Sequence, residues 1–179
     1  MVAGRRYAAP MSSTLTVHKV FPMHSISVVI ADKKITDEFA SRFILAKSVA
    51  LPQGKGLVPI TTELSDDIAE LARKPNIPYQ DFEYLNESLV EVANDLSSLG
   101  MVCYAETEYF GGDGGQSSIV WDKGKVIYGP SSSFRNCQNP INDALRILGV
   151  KILHMRDEFA ELGLGNNRST EKWFERGCS

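Results

Sequence analysis

The run Glu106-Thr107-Glu108-Tyr109-Phe110-Gly111-Gly112-Asp113-Gly114-Gly115-Gln116 gathers carboxylates, aromatic rings and four glycines into one short segment. Read as a strand, its period of two puts Tyr104, Glu106 and Glu108 on one side and Cys103, Ala105 and Thr107 on the other. Carboxylates at that spacing stand roughly 7 Å apart at their Cα atoms, near enough to share a divalent cation or a proton. This is a geometry for acid–base chemistry or for an oxygen-bound metal. It is also the geometry of an ordinary solvated sheet face with Lys or Arg opposite. The glycines offer backbone N–H groups to an anion, but they have neither the Lys and Ser or Thr of a P-loop nor the spacing of a Rossmann loop. Asp113 between glycines is a turn former, and the sequence predicts a hairpin tip that needs positive φ angles.

Elsewhere the chain has little competing chemistry. His18, His24 and His154 lie far apart and show no metal-ligand spacing. No GxSxG elbow or HExxH pair occurs, and Ser131, Ser132 and Ser133 have no recognisable base. Cys103 reads as a small core residue within a strand, with no local His to activate it. No catalytic residue, metal or cofactor is therefore assigned. The three cysteines, Cys103, Cys137 and Cys178, form no CxxC pair and fit a reducing compartment, which gives a cytoplasmic expectation.

Bulk properties narrow the function classes. At 179 residues the chain suits one well-buried core. Its 43% hydrophobic and 23% charged residues describe a globular protein. A net charge of −3 with scattered Lys and Arg leaves no footprint for a phosphate backbone, so nucleic acid is not an expected partner. The longest apolar stretches, residues 26–31 and 44–51, are far short of the roughly 20 residues that span a bilayer. Residues 1–13 are basic and rich in small residues without the apolar core of a secretory signal. They read as a flexible N-terminal extension, with Met11 a candidate start, ahead of a single domain over 14–179.

The elements that must position the acidic run follow from periodicity and caps. Strands are expected at 15–21 and 25–31, then a helix capped by Thr36 and ending before Pro52. A turn at 53–56 leads into an extended 57–60, and Thr61 or Thr62 caps a helix carrying Leu64, Ile68 and Leu71. The strongest helical stripe is Phe82, Leu85, Leu89, Val92 and Leu96, with Asp81 as cap and Gly100 as terminator. Strands at 101–109 and 117–122 flank the glycines. The turn at 122–125 adds a third strand at 126–128, and residues 129–138 read as a polar loop. Asn139-Pro140 starts a helix that Gly149 closes, 150–154 reads as a last strand, and helices follow at 156–162 and from Ser169 or Thr170 through Phe174. This order predicts an α+β single domain, an antiparallel sheet with a central Gly-tipped hairpin and helices packed on one face.

With these elements in view, 106–112 with Gly115-Gln116, Ile141-Asn142-Asp143-Ala144-Leu145, Asp157-Glu158-Phe159 and Leu162-Gly163-Leu164-Gly165 give the chain a resemblance to small uncharacterised bacterial proteins. In style it is similar to toxin-neutralising immunity proteins, which are compact, acidic, cytoplasmic α+β domains. The resemblance implies a protein-binding role and no catalytic residue. The leading expectation is a non-enzymatic protein-binding domain, an immunity-type inhibitor that docks an acidic hairpin face on a basic partner. Glu106, Glu108 and Asp113 would supply charge, Tyr109 and Phe110 anchors, and Gln116 a polar contact at that partner-binding surface. The alternative is a small metal-dependent or phosphate-handling enzyme with Glu106 and Glu108 at its site. An enzyme would hold these carboxylates in a concave pocket with shifted pKa values, and a binding module on a flat or convex surface. A third expectation is a homo-oligomer, formed through a sheet edge or the face carrying Trp121.

Overall fold

The computed structural model describes residues 24–110, 113–134 and 139–177. The expected strand at 15–21 and the extension at 1–13 lie outside them, as do Gly111, Gly112, Cys137 and Cys178.

The fold is a single α+β domain built on one six-stranded antiparallel sheet. Strands β1 (His24–Asp32), β2 (Val49–Ala50), β3 (Lys55–Pro59), β4 (Val102–Phe110), β5 (Asp113–Asp122) and β6 (Lys125–Phe134) lie in the order β2-β3-β1-β4-β5-β6. The meander β4-β5-β6 is present as expected. Its second turn places Lys123 and Gly124 at φ 50° and 72°, the left-handed pair that a two-residue hairpin turn demands.

Helices cover both faces of the sheet, not one. Helices α1 (Lys33–Arg42), α2 (Thr62–Ala72) and α3 (Glu87–Leu96) share a core with Val29, Val58, Val102, Tyr104, Ile119 and Trp121. On the opposite face α4 (Pro140–Ile147), α5 (Glu158–Glu161) and α6 (Thr170–Arg176) share a core with Ile26, Val28, Ile30, Leu57, Cys103, Ala105 and Val120. The physical reason is in β1, where Ile26 to Ala31 are all buried. A strand that alternated apolar with polar would need one cover, whereas an unbroken buried run needs two. Trp121 is sealed in the first of these cores at 1% exposure, so its side chain is not available to the self-association face expected around it.

Several boundaries differ from expectation for local reasons. The first helix starts at Lys33 and stops at Arg42, and Thr36 lies buried inside it, its hydroxyl donating to the Lys33 carbonyl at 2.9 Å. Phe82 and Leu85 are buried as the stripe required, but the helix begins only at Glu87. Asn86 caps it by accepting from the Leu89 N–H at 2.8 Å. Strand β6 runs on to Phe134 where a polar loop was expected, because Gly115, Gln116, Ser117 and Ser118 pair with Phe134, Ser133, Ser132 and Ser131. Residues 150–154 form no strand, and Val150 is buried as part of the second core. The caps expected of Thr61 and Ser169 are present, accepting from the N–H groups of Leu64 and Lys172. The Pro140 start and the Gly163 stop are present too.

Candidate functional site

Cross-strand register decides what the acidic run can do. Glu106 lies opposite Ser27 on β1 and Ser117 on β5, and Glu108 lies opposite Ser25 and Gly115. No Lys or Arg faces either carboxylate across the strands, so the ordinary salt-bridged sheet face is not what this chain built.

Glu106 is buried, 6% exposed, and each of its oxygens is engaged. Oε1 accepts the Glu83 N–H at 2.7 Å, and Oε2 accepts the Tyr84 N–H at 3.1 Å and the Tyr104 hydroxyl at 2.9 Å. Because the Tyr104 hydrogen goes to Glu106, Ser27 donates to the Tyr104 oxygen at 2.7 Å. Burial pushes the Glu106 carboxyl above its usual range, against the pull of the two backbone donors and the phenol. The expectation that Glu106 presents charge to a partner is therefore corrected. Its carboxylate fastens the segment before α3 to the sheet.

That segment brings acids that sequence reasoning did not assign. Asp81 and Glu83 come to face Glu108 and Asp113 across a cleft of about 500 Å³, floored by Glu106 and Ser117 and edged by Tyr84, Phe110 and Phe134. Glu108 is exposed and stands beside the Glu83 side chain. The neighbouring Glu83 side chain is the largest cause that raises the Glu108 pKa, with smaller contributions from burial and from the charges of Glu83 and Glu106. Tyr84 lies exposed at the edge of the cleft, and desolvation is the largest cause that raises its pKa. Phe110 and Phe134 are each 75% exposed at the rim. Phe134 can lie there because its β-pair is a glycine: a Cβ on Gly115 would sit 3.0 Å from the ring.

The glycines serve the strands more than the tip. Gly114 and Gly115 belong to β5, and a Cβ on Gly114 would fall 2.0 Å from the Glu108 carbonyl oxygen. They permit close backbone approach, and they do not form the turn that was expected of all four.

The other assigned residues divide between the two faces. Glu108, Phe110 and Asp113 line the acidic cleft together. Tyr109 points to the α4 side, where Gln116 donates to its hydroxyl at 3.2 Å and accepts the Ile141 N–H at 3.3 Å. His24 is on that side as well, its Nδ1 2.7 Å from the Thr107 hydroxyl, and burial and then the charge of Arg168 lower its pKa. Asp81 and Glu83 carried no motif that could reveal them. Phe134 was hidden by its serine-rich surroundings.

Among the described residues no group of three or more His, Cys, Asp or Glu side chains is arranged to hold a metal ion, and no helix is long and apolar enough to cross a membrane. No family model matches the sequence, and no curated protein and no solved structure matches it.

Proposed function

We propose that the protein is a non-enzymatic protein-binding domain, an immunity-type inhibitor, and that the cleft between residues 81–84 and β4–β6 receives a cationic side chain of a basic partner. One observation carries this reading. Asp81, Glu83, Glu108 and Asp113 line one concave surface whose described lining contains no Lys or Arg, and the nearness of Glu83 raises the Glu108 pKa. A cation entering there relieves like-charge repulsion and gains charge-assisted hydrogen bonds. The exposed rings of Phe110 and Phe134 supply apolar and cation–π surface for the stem of Lys or the plane of Arg. A cytoplasmic location belongs to the same proposal, supported by the free, buried thiol of Cys103.

The test uses short peptides carrying Lys, Arg, Gln or Glu at a central position, titrated into the protein by fluorescence anisotropy at two salt concentrations. Lys or Arg peptides should bind, weaken with salt, and lose at least tenfold in affinity when Glu83 and Glu108 are both changed to Gln. Equal binding of the four peptides, or unchanged affinity in the double variant, would sink the reading.

Concavity and the raised Glu108 carboxyl are the signs expected of an enzyme and not of a flat binding surface, and they favour a second reading, a small enzyme using that group as a general acid. An acidic cleft repels phosphate, so phosphate handling gains no support from this lining. A thermal-shift panel of divalent ions and nucleotides separates the classes, since a specific ligand raises Tm by mass action. A flat response counts against the enzyme.

A further inference from the structure

The opposite face of the sheet holds a second cavity, of about 290 Å³, between the ends of β1, β4 and β5 and the segments that carry α4 and α5. Its chemistry is unlike that of the acidic cleft. Among its described lining residues there is no Lys or Arg and one carboxylate, Asp157, one oxygen of which already accepts the Ala160 N–H at 2.8 Å. The remaining polar groups are neutral amides and hydroxyls, which both donate and accept. Gln116 is locked by its bonds to Tyr109 and to the Ile141 backbone, and Asn142 by accepting the Phe159 N–H at 2.8 Å. Asn139 caps no helix N–H and lines the same space. Two rings form the apolar wall, Phe159 and His24, with centroids 5.8 Å apart. His24 faces Thr107, and burial and then the charge of Arg168 disfavour its charged form.

We infer that this cavity binds a small neutral heterocycle bearing both hydrogen-bond donors and acceptors, in the class of a nucleobase or a cyclic amide. The volume sits at the low end of small-molecule sites, about 300–1,000 Å³, and suits one ring system. Fixed amides offer paired donor and acceptor positions to the edge of such a ring, and the aromatic wall offers a face on which to stack. The described lining residues include no Lys or Arg, which disfavours phosphates and carboxylates, and one partly engaged carboxylate gives a cation little hold. This site is independent of the acidic cleft, and either assignment can fail without the other.

The experiment is isothermal titration of the full chain with adenine, cytosine, uracil and nicotinamide. At least one should bind saturably below 1 mM (about −4 kcal/mol by the affinity relation). Gly165→Leu should weaken it at least tenfold, because a Cβ there points at the Phe159 ring from 3.7 Å and the longer side chain fills the cavity. Tyr109→Phe and Asn139→Ala should each weaken it severalfold while Tm stays near the parent value, which keeps the test informative if Gly165→Leu does not fold. Absence of saturable binding by all four compounds would overturn the inference, as would binding unaffected by the three substitutions.

Discussion

Replacing Glu106 by Ala isolates the bond between the sheet and the segment that builds the acidic cleft. The carboxylate accepts two backbone N–H groups and one phenol, at 2.7, 3.1 and 2.9 Å. Hydrogen bonds to a charged group contribute about 1.5–3 kcal/mol each, and the donors left behind cost about 1–3 kcal/mol each when buried. Against this stands the cost of keeping a carboxylate out of water, which already raises the Glu106 pKa. Removing the group recovers that part. A net loss of about 3 kcal/mol follows, or roughly 6–12 °C in Tm for a domain of this size. Urea unfolding measures the global loss. Amide exchange measures the local one, since Glu83 and Tyr84 should lose protection far more than residues of α3. The sign with pH is also fixed. A folded pKa above the unfolded value means that the stability from this group is present below the ordinary glutamate range and is lost as pH rises through the raised value. Glu106→Gln should flatten that slope. An unchanged Tm in Glu106→Ala with full protection of both amides would refute the fastening role.

Three further outcomes are expected. Glu108→Gln removes a raised carboxyl, so the parent should lose Tm relative to this variant as pH rises from about 4 to 7, read by thermal melts across pH. Gly114→Ala forces a Cβ to within 2.0 Å of the Glu108 carbonyl oxygen, and should cost about 2–3 kcal/mol in denaturant titrations. The Cys103 thiol is fully buried and its pKa is pushed up by desolvation, so it should resist thiol reagents in the native state and react at the rate of unfolding.

Much of the fold was legible where local chemistry alone decides the outcome. The caps at Thr61 and Ser169, the Asn139-Pro140 start, the Lys123-Gly124 turn and the strands on either side of it all follow from residues near in sequence. Two-sided coverage was legible in principle, because Val28 to Ala31 is a continuous apolar run of the kind found in a strand buried on both faces. What could not be read was the site. Glu106 is indistinguishable by sequence from an exposed strand glutamate, since its partners are backbone N–H groups of residues 83 and 84 in a segment whose path depends on Asn86. The Phe82–Leu96 stripe satisfied helical spacing, yet its first turns pack through irregular backbone. The Glu83 and Tyr84 N–H groups are met by Glu106, whereas a helix capped at Asp81 would have left them to the cap side chain. Asp81 and Glu83 joined the site only because that backbone left the helical path.

The strand order also bears on how the chain is made. Strand β1 lies mid-sheet and pairs with both β3 and β4, so Val28 meets Pro59 early and Ala105 only after 46 more residues have been synthesised. Its second face waits longer still. Ile26, Val28, Ile30 and Leu57 share a core on the α6 side with Trp173, which leaves the ribosome more than a hundred residues after Leu57. Until then a nascent polypeptide carries an apolar sheet surface in water, the kind that chaperones hold and that aggregates. Release of a product truncated before Thr170 would leave that surface permanently bare, whatever the state of the other core.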